Sequence, residues 1–173
     1  ANCLVGSEMC IRDRCCTASD SEDARRVASK LDIPYYVLDY TESFSKNVVD
    51  NFTQMYAQGL TPNPCVECNR SVKFDHFINQ AKKLNCDKVA TGHYAKIIKK
   101  NGNYELHKAD YLDKDQSYVL HMLQSSDLEN ITFPLGEISK PEVRQIAARI
   151  GLRTAFKKDS QDICFVGKKD YRS

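Results

Sequence analysis

The sequence has no apolar run of about 18 residues, the length that a membrane-spanning helix needs, and no signal-peptide pattern. It also has no internal repeat and no low-complexity stretch, which excludes a repeat architecture. Of its 173 residues, 42% are hydrophobic and 28% are charged, as in a soluble globular domain with one sizeable core. The net charge of +2 neither requires nor excludes a nucleic-acid partner. We expect no membrane partner.

Eight cysteines are present, but they lie among helix-like patterns and lack the regular spacing of a secreted disulfide scaffold. A cytoplasmic location is therefore expected, with some cysteines catalytic or metal-binding and others buried. Because the chain has no initiating Met and stops within a pattern, we expect an internal fragment. Residues 1–14 are expected to be a non-native segment, since residues 5–14 lack periodicity and resemble translated sequencing-adapter sequence. The domain itself is assigned to residues 15–173.

From residue 19 onwards, hydrophobic periodicity predicts alternating helices and strands. Helices are predicted over residues 19–31, 42–59, 69–84 and 139–151, and strands over residues 35–40, 87–91 and 162–166. Asn101 and Gly102 predict a type I′ hairpin between two further strands. The alternation indicates a doubly wound α/β domain, with a parallel sheet flanked by helices and an added hairpin and helical part. Such domains bind ligands beyond the carboxyl ends of their strands.

The segment TPNPCVECNRSVKF, residues 61–74, carries two prolines that favour a stiff, extended loop. We expect this loop to be partly exposed, to display Asn63, Cys65 and Cys68, and to continue into a helix at about Asn69. A thiol near a helix N-terminus is favoured as the thiolate, its reactive form. The segment therefore predicts a reactive site, on the same rim of the sheet as the glycine and histidine that follow the strand over residues 87–91.

The Cys65-x-x-Cys68 spacing is also compatible with three more common roles. Half of a structural zinc site is disfavoured, because the sequence has no second Cys-x-x-Cys pair. A thioredoxin-like redox pair fits the proline-rich flank poorly. The third role is the packing of buried cysteines, and polar flanking residues argue against it for Cys68.

Three more segments each allow a chemical and a structural role. In ATGHY, residues 90–94, the glycine would let a nucleotide approach the backbone, but a strand end with a packing histidine accounts for it equally. In KDQSY, residues 114–118, a lysine and two polar neighbours suit an RNA backbone, while the aspartate alone suits a helix cap. In KKDSQDICF, residues 157–165, a thiol follows basic residues, and a charged loop before a buried strand is the alternative.

The four segments, together with FPLGE at residues 133–137, occur in the order found in bacterial tRNA-specific 2-thiouridylases, whose catalytic domain this chain resembles over residues 15–172. The resemblance implies a Rossmann-like ATP-pyrophosphatase (adenine nucleotide alpha hydrolase) fold. It also implies that the family's Ser-Gly-Gly-x-Asp-Ser nucleotide loop and two C-terminal β domains are absent here. We therefore expect the chain to be inactive alone.

The implied reaction is ATP-dependent 2-thiolation of the wobble uridine (U34) of tRNA. ATP adenylates the uracil C2 oxygen, and AMP leaves as sulfur from a cysteine persulfide attacks C2. The resemblance implies that Cys68 is the nucleophile and that Cys164 carries the persulfide. It implies that Asn63, Pro64 and Cys65 contact the target base and that Gly92 contacts ATP. Contacts with the tRNA are implied for His93, Lys114, Asp115 and Gln116. A Cys68–Cys164 disulfide is left after turnover and must be reduced.

The implied cofactor is ATP with Mg²⁺, and the implied partners are tRNA and a persulfide carrier protein that donates sulfur; no DNA partner is implied. Many family members have Asp where this chain has Cys65, and a thiol is a weaker acid than a carboxyl. The alternative is therefore a three-thiolate site of Cys65, Cys68 and Cys164 that holds a [4Fe–4S] cluster. Two rival functions also stay open: a three-cysteine metal-binding module on an α/β scaffold, and an ATP-pyrophosphatase that acts on another substrate.

Overall fold

Three parallel strands form the sheet of the computed structural model, which describes residues 3–6, 18–157 and 165. The central strand β2 (Lys88–Thr91) pairs with β1 (Cys3–Gly6) on one side and with β5 (Ile131–Thr132) on the other. The strand predicted over residues 87–91 is confirmed. The sequence patterns do not predict β1, because it lies in the segment that they set aside. The non-native origin of residues 1–14 stays a prediction.

Helices confirm most of the predicted periodicity. Helix α1 covers Ala18–Lys30. A second helical stretch runs without a break through α2 (Thr41–Phe44), the π-helical segment π1 (Ser45–Val49) and α3 (Asp50–Ala57). Gly59 follows with a φ of 77°, a backbone conformation in which glycine carries no Cβ penalty.

A third helical stretch carries the candidate cysteines. It consists of α4 (Pro64–Cys68), the π-helical segment π2 (Asn69–Phe74) and α5 (Asp75–Lys83). The expected apolar face of α5 is observed, because Phe77 and Ala81 are buried against Val89 of β2. The face follows from apolar residues recurring every three or four positions.

The predicted hairpin is confirmed as β3 (Ala95–Lys100) and β4 (Asn103–Lys108), paired antiparallel. Asn101 and Gly102 at its tip both have positive φ, 50° and 84°, as a type I′ turn requires. Two short 3₁₀ helices (Leu112–Lys114 and Ser117–Val119) and helix α6 (Ser125–Leu128) follow.

The last described helix, α7 (Lys140–Arg149), begins with the predicted capping box. The hydroxyl of Ser139 accepts from the Glu142 N–H, and the Glu142 carboxylate accepts from the Ser139 N–H. A 3₁₀ helix (Arg153–Phe156) ends this part of the chain. The strand predicted over residues 162–166 lies outside the described residues except for Phe165, which is in a turn.

The strand predicted over residues 35–40 is wrong. Residues 33–40 have no regular secondary structure, and Tyr36 and Val37 are 56% and 62% exposed. Aromatic and β-branched residues suit a half-buried sheet surface, but a strand also needs a neighbouring strand to complete its hydrogen bonds. Among the described residues, the three-stranded sheet extends only from β1 to β5.

Two clusters of buried side chains pack the helical stretches against the rest of the fold. In the hairpin cluster, the helical stretch that runs from α4 to α5 packs against the hairpin and β5. The cluster contains Phe74, Ala95, Val119, Leu120, Ile131 and Phe133. The Cys68 cluster joins the same stretch with that of α2 and α3, and it contains Phe44, Val48, Cys68 and Val72, with Tyr40, Val49 and Phe165 packed against it.

Candidate functional site

The helix at the proline-rich segment begins at Pro64, about five residues earlier than the sequence predicts. Asn63 is its N-cap: the side-chain oxygen accepts from the N–H of Cys65 at 3.0 Å and from that of Val66 at 3.4 Å. Proline fits the first helical position, because it has no N–H to lose and its φ is already helical. Asn63 itself is extended, as expected for a residue before proline.

The two cysteines of this segment are therefore arranged differently from the expectation. Cys65, in the first turn of α4, is exposed. Cys68 is at the end of α4, inside the continuous helical stretch, and is only 9% exposed. The expectation that Cys68 lies in an exposed loop before the helix is wrong, because the asparagine cap and Pro64 start the helix ahead of both thiols.

Phe165 packs against the Cys68 cluster. Its ring meets the rings of Phe44 and Phe52 edge to face, with centroids 5.8 Å and 5.3 Å apart. Cys164, the predicted persulfide carrier, lies outside the described residues, but it is the residue bonded to Phe165. What the structure describes here is the Phe165 side chain, which contacts the cluster that buries Cys68.

Asn69 is a buried polar residue beside Cys68 that the sequence patterns do not single out. It is 3% exposed, and its amide nitrogen donates to the Val119 carbonyl at 3.2 Å. Its side-chain oxygen has no hydrogen-bond partner among the described residues. The Asn69–Val119 bond ties the helical stretch of the cysteines to the segment that follows Lys114, and no local pattern could have predicted a contact across 50 positions.

Gly92 and His93 follow β2 directly, at the carboxyl end of the sheet. Gly92 is exposed, and a Cβ added there would meet only Leu135 Cδ1, at 3.8 Å. His93 is buried, with Nδ1 hydrogen-bonded to the Thr91 hydroxyl at 2.8 Å. Its ring packs against Phe74 and Phe133, both with centroids 6.0 Å away.

Burial, followed by the positive charge of Lys73, lowers the pKa of His93 from 6.5 to about 3. The ring is therefore neutral at pH 7. The Phe74 contact also places His93 against the same helical stretch that carries Cys65 and Cys68, which agrees with the expectation of a common rim.

Asp115 and Gln116 hold the backbone of the predicted RNA-contact segment. Asp115 accepts from the Ala109 N–H at 2.8 Å and from the Ser117 hydroxyl at 2.7 Å. Gln116 and Tyr94 bind each other twice: the Gln116 N–H donates to the Tyr94 carbonyl at 2.8 Å, and the Tyr94 N–H donates to the Gln116 side chain at 3.1 Å. The structural role of this segment is therefore observed, and Lys114 is half-buried at the end of a 3₁₀ helix.

The structure thus connects the helical stretch of Cys65 and Cys68 to His93 through the Phe74 contact, and to the segment after Gln116 through the Asn69–Val119 bond. It does not test their predicted roles. Among the described residues, no group of three or more His, Cys, Asp and Glu side chains could hold a metal ion. Because Cys164 lies outside them, the three-thiolate hypothesis is not tested either.

The described geometry defines a class of protein: an α/β domain with a parallel sheet and an exposed glycine at the carboxyl end of its central strand. Comparison with known proteins gives the family. A family model described as "tRNA methyl transferase HUP domain" matches residues 5–168, and the chain belongs to this family. The predicted Rossmann-like ATP-pyrophosphatase fold is thereby confirmed.

Curated relatives share about half of the residues of this chain. The chain is 51% identical to the tRNA-specific 2-thiouridylase MnmA of Chloroflexus aurantiacus over 160 residues. This alignment covers 92% of the chain and 45% of the relative. It is 49% identical over 159 residues to the MnmA of Leptospira biflexa, an alignment that covers 92% of the chain and 42% of the relative. It is also 49% identical over 160 residues to the MnmA of Geobacter metallireducens, with 92% of the chain and 44% of the relative covered. The chain therefore spans less than half the length of these relatives.

No helix among its described residues is both long and apolar enough to cross a membrane.

Proposed function

We propose that this chain is the sulfur-transfer part of an enzyme that 2-thiolates the wobble uridine of tRNA at the expense of ATP. The relatives named as tRNA-specific 2-thiouridylases support the substrate and the reaction. The observation that carries the proposal is the packing of Phe165 against the cluster that buries Cys68. Because Phe165 directly follows Cys164 in the sequence, this packing supports a persulfide carrier close to the cluster that contains the second thiol.

The sulfur step uses two cysteines and balances as follows. Cys164 carries the sulfur to be transferred as a persulfide, –S–SH. The thiolate of Cys68 attacks the Cys164 Sγ, so the bond between Sγ and the outer sulfur breaks. The outer sulfur takes that electron pair and forms a bond to uracil C2, from which AMP leaves. The two cysteines end as a disulfide, which an external thiol reductant returns to two thiols.

Uracil C2 must be activated before sulfur can replace its oxygen. ATP would supply this activation: the uracil C2 oxygen attacks the α-phosphorus, pyrophosphate leaves, and the oxygen carries the adenylyl group; Mg²⁺ would balance the charge of the phosphates. Gly92 fits a nucleotide contact, because it is exposed at the carboxyl end of β2, and the nearest atom to an added Cβ among the described residues is Leu135 Cδ1 at 3.8 Å. Gly6, which ends β1 beside Thr91, brings a second strand end to the same edge of the sheet.

For the tRNA, accessible surface supports some predicted contacts more than others. Asn63 and Cys65 are exposed at the start of α4 and are available to a uracil turned out of its stack. His93 is 9% exposed, which leaves little of its surface for a tRNA contact. Asp115 and Gln116 support the tRNA surface mainly by holding the backbone around Lys114.

The test measures 2-thiouridine in tRNA from cells that depend on the full-length protein, by mass spectrometry of nucleosides. We expect Cys68→Ser and Cys164→Ser each to abolish 2-thiouridine, because either change leaves the sulfur step one thiol short. Cys86→Ser is the matched control and should leave thiolation intact, since Cys86 packs beside α5 and β2. Normal thiolation in either of the first two variants would refute the assignment.

Iron content separates the two-cysteine mechanism from the three-thiolate alternative. We expect the full-length protein, purified without oxygen, to be colourless and active, and Cys65→Ala to retain activity. About four irons per chain, with activity lost in Cys65→Ala, would instead establish a [4Fe–4S] cluster on Cys65, Cys68 and Cys164.

A further inference from the structure

We propose that Asn69 is a positioning residue, whose hydrogen bond to Val119 fixes the buried thiol of Cys68 relative to the segment predicted to contact the tRNA. This inference rests on the proposed function and adds to it a residue that no predicted contact with ATP or tRNA includes. Three observations carry it: the two buried faces of the helical stretch, a polar contact on one of them, and the bonds that hold the segment before Val119.

The helical stretch of the cysteines is buried on two faces. On one face, Cys68 lies in its cluster with side chains of α2 and π1. On the other, Val66 and Phe74 take part in the hairpin cluster. Successive residues of a helix are rotated by about 100°, so Asn69 lies on a different face from Cys68. Its bond to Val119, a member of the hairpin cluster, places Asn69 on the second face.

The Asn69–Val119 bond gives this packing a direction. Apolar contacts such as those of Val66 and Phe74 are non-directional, whereas a hydrogen bond weakens steeply as its distance and angle change. Asn69 Nδ2 and the Val119 carbonyl oxygen are 3.2 Å apart, and Asn69 is only 3% exposed. The bond therefore restricts the rotation of the helix about its axis. Because Cys68 directly precedes Asn69 in the same helical stretch, that rotation sets the position of its thiol.

The amide contributes less to stability than to position. Asn69 Oδ1 is buried and has no hydrogen-bond partner among the described residues. A buried acceptor left without a partner costs free energy, which offsets part of what the bond to Val119 contributes. An apolar side chain of similar size would avoid this cost but could not make the bond. Stability and thiol position are therefore separable by mutation.

The segment that accepts the bond is held independently of Asn69. Val119 ends the 3₁₀ helix that directly follows residues 114–116. Two hydrogen bonds tie Gln116 to Tyr94, in the turn after β2, and Asp115 accepts from the N–H of the residue that follows β4. Loss of the Asn69 bond should therefore leave the predicted tRNA-contact segment in place and release the helix that carries Cys68.

The first measurement is the rate at which iodoacetamide alkylates Cys68 in the folded full-length protein, with peptide mass spectrometry to assign the modified residue. Cys65, which is exposed in the first turn of α4, is the internal reference. We expect Asn69→Leu, which keeps the side-chain size but has no donor, to raise the Cys68 rate relative to Cys65 by up to about tenfold, because the helix can then turn and expose the thiol. Asn69→Ala should act in the same direction and needs no more room than asparagine does.

Two controls and a rescue variant accompany this measurement. Asn79→Leu makes the same change at an exposed position of α5 and should have no effect. Cys86, half-buried beside α5 and β2, reports general opening of the fold, and its rate should stay unchanged. Asn69→Gln keeps a donor on a longer side chain and should restore part of the slow Cys68 rate. Circular dichroism shows which variants are folded, so the comparison is made between folded proteins.

The second measurement is the rate of tRNA thiolation by the full-length enzyme. A displacement of about 1 Å at a reacting group can cost about 100-fold in rate without loss of substrate affinity. A positioning role therefore predicts that Asn69→Leu lowers kcat at least about tenfold while KM for tRNA and for ATP is unchanged, and that Asn69→Gln recovers part of kcat. A merely structural role would lower the amount of folded enzyme and leave kcat per folded molecule unchanged.

The outcomes distinguish this inference from the function on which it rests. Unchanged alkylation of Cys68 in the folded Asn69→Leu and Asn69→Ala variants would overturn the positioning role alone. Equal rises in rate at Cys68 and Cys86 would also overturn it, because they would indicate general opening of the fold. A selective rise at Cys68, in a full-length protein that makes no 2-thiouridine, would uphold the positioning of the thiol by Asn69 and refute the proposed function.

Discussion

At the scale of single residues, His93 shows how burial sets a charge state. Its ring is enclosed by Phe74 and Phe133, and its pKa is lowered from 6.5 to about 3. Between these two pH values the unfolded chain binds a proton at this position and the folded chain does not. The contribution of His93 to stability is therefore complete above pH 6.5 and is lost as the pH falls towards 3.

We expect the free energy of unfolding to fall with decreasing pH by up to about 1.4 kcal/mol per pH unit from this residue. His93→Gln, which cannot take up the proton, should flatten the dependence between pH 6 and pH 4 measured by urea unfolding. His121→Gln is the control, because His121 is exposed. An unchanged slope in His93→Gln would show that other groups account for the pH dependence.

Two glycines, Gly92 and Gly136, differ in the space around them. A Cβ at Gly136 would lie 2.1 Å from the Ala95 carbonyl oxygen, a rigid backbone atom in β3. We expect Gly136→Ala to destabilise the fold by about 3 kcal/mol, as overpacking against backbone does. Gly92→Ala should leave stability nearly unchanged, since the nearest atom is a leucine methyl at 3.8 Å.

Because Gly92→Ala is expected to leave the stability of the fold unchanged, any effect of this variant on ATP binding reports on the proposed nucleotide contact alone. Thermal unfolding compares the two variants, and ATP binding to the full-length protein is then measured for Gly92→Ala alone. We expect weaker ATP binding. Equal affinity in the variant and the parent would remove Gly92 from the nucleotide site.

At the scale of elements, the asparagine cap decides where the helix of the cysteines begins. Asn63→Ala removes the acceptor for two backbone N–H groups, and we expect a loss of about 1 kcal/mol in the free energy of unfolding. Asn63→Asp keeps the acceptor and should restore stability. Ser139→Ala in the capping box of α7 provides a second cap for comparison. Urea unfolding measures all three, and equal stability of Asn63→Ala and the parent would contradict the cap.

The variants at Asn63 also separate capping from base contact. If Asn63→Asp keeps stability but loses thiolation in the full-length protein, the amide has a role beyond the cap. If both are kept, capping is its whole contribution.

Sequence patterns predicted elements whose signals are local. Periodicity located α1, α3, α5 and α7, and the Asn101-Gly102 pair located the hairpin. The patterns missed the start of α4, because the two prolines were taken as evidence for an extended loop through Cys68, whereas Pro64 is equally suited to a first helical turn. They could not predict the burial of Asn69 or the Phe165 contacts, since both depend on partners 50 or more positions away.

At the scale of the whole molecule, stability is expected to be uneven. The hairpin cluster has residues that are fully buried, such as Ala95 and Leu120. Helix α7, in contrast, has no buried residue, and Ile146 and Ile150 at its end are more than 40% exposed. A polar contact that holds this part of the chain is the bond from Lys30 Nζ to the Gly151 carbonyl, 2.8 Å.

We therefore expect the amides of α7 to exchange with solvent hydrogen much faster than those of β2 and β3, because few buried contacts oppose local opening. Hydrogen–deuterium exchange with mass spectrometry measures this. Lys30→Met should speed exchange in α7 and leave the hairpin unaffected. Exchange in α7 as slow as in β3 would show that α7 opens only when the whole domain unfolds.

The π2 segment has a consequence for how this domain tolerates insertions and deletions. Successive residues of an α-helix are rotated by about 100° around its axis, and a π-helical turn takes up one residue more than an α turn. Deleting a single residue from Asn69–Phe74 would therefore restore ordinary helix and leave α4 in nearly the same rotation relative to α5, because the turn keeps its 360° with one residue fewer. With Phe77 kept on β2, Cys68 would stay in its cluster. The same deletion made within α5 would turn α4 by about 100° and move Cys68 out of that cluster. The π2 segment is thus a place where the helical stretch of the two cysteines can lose a residue without moving Cys68.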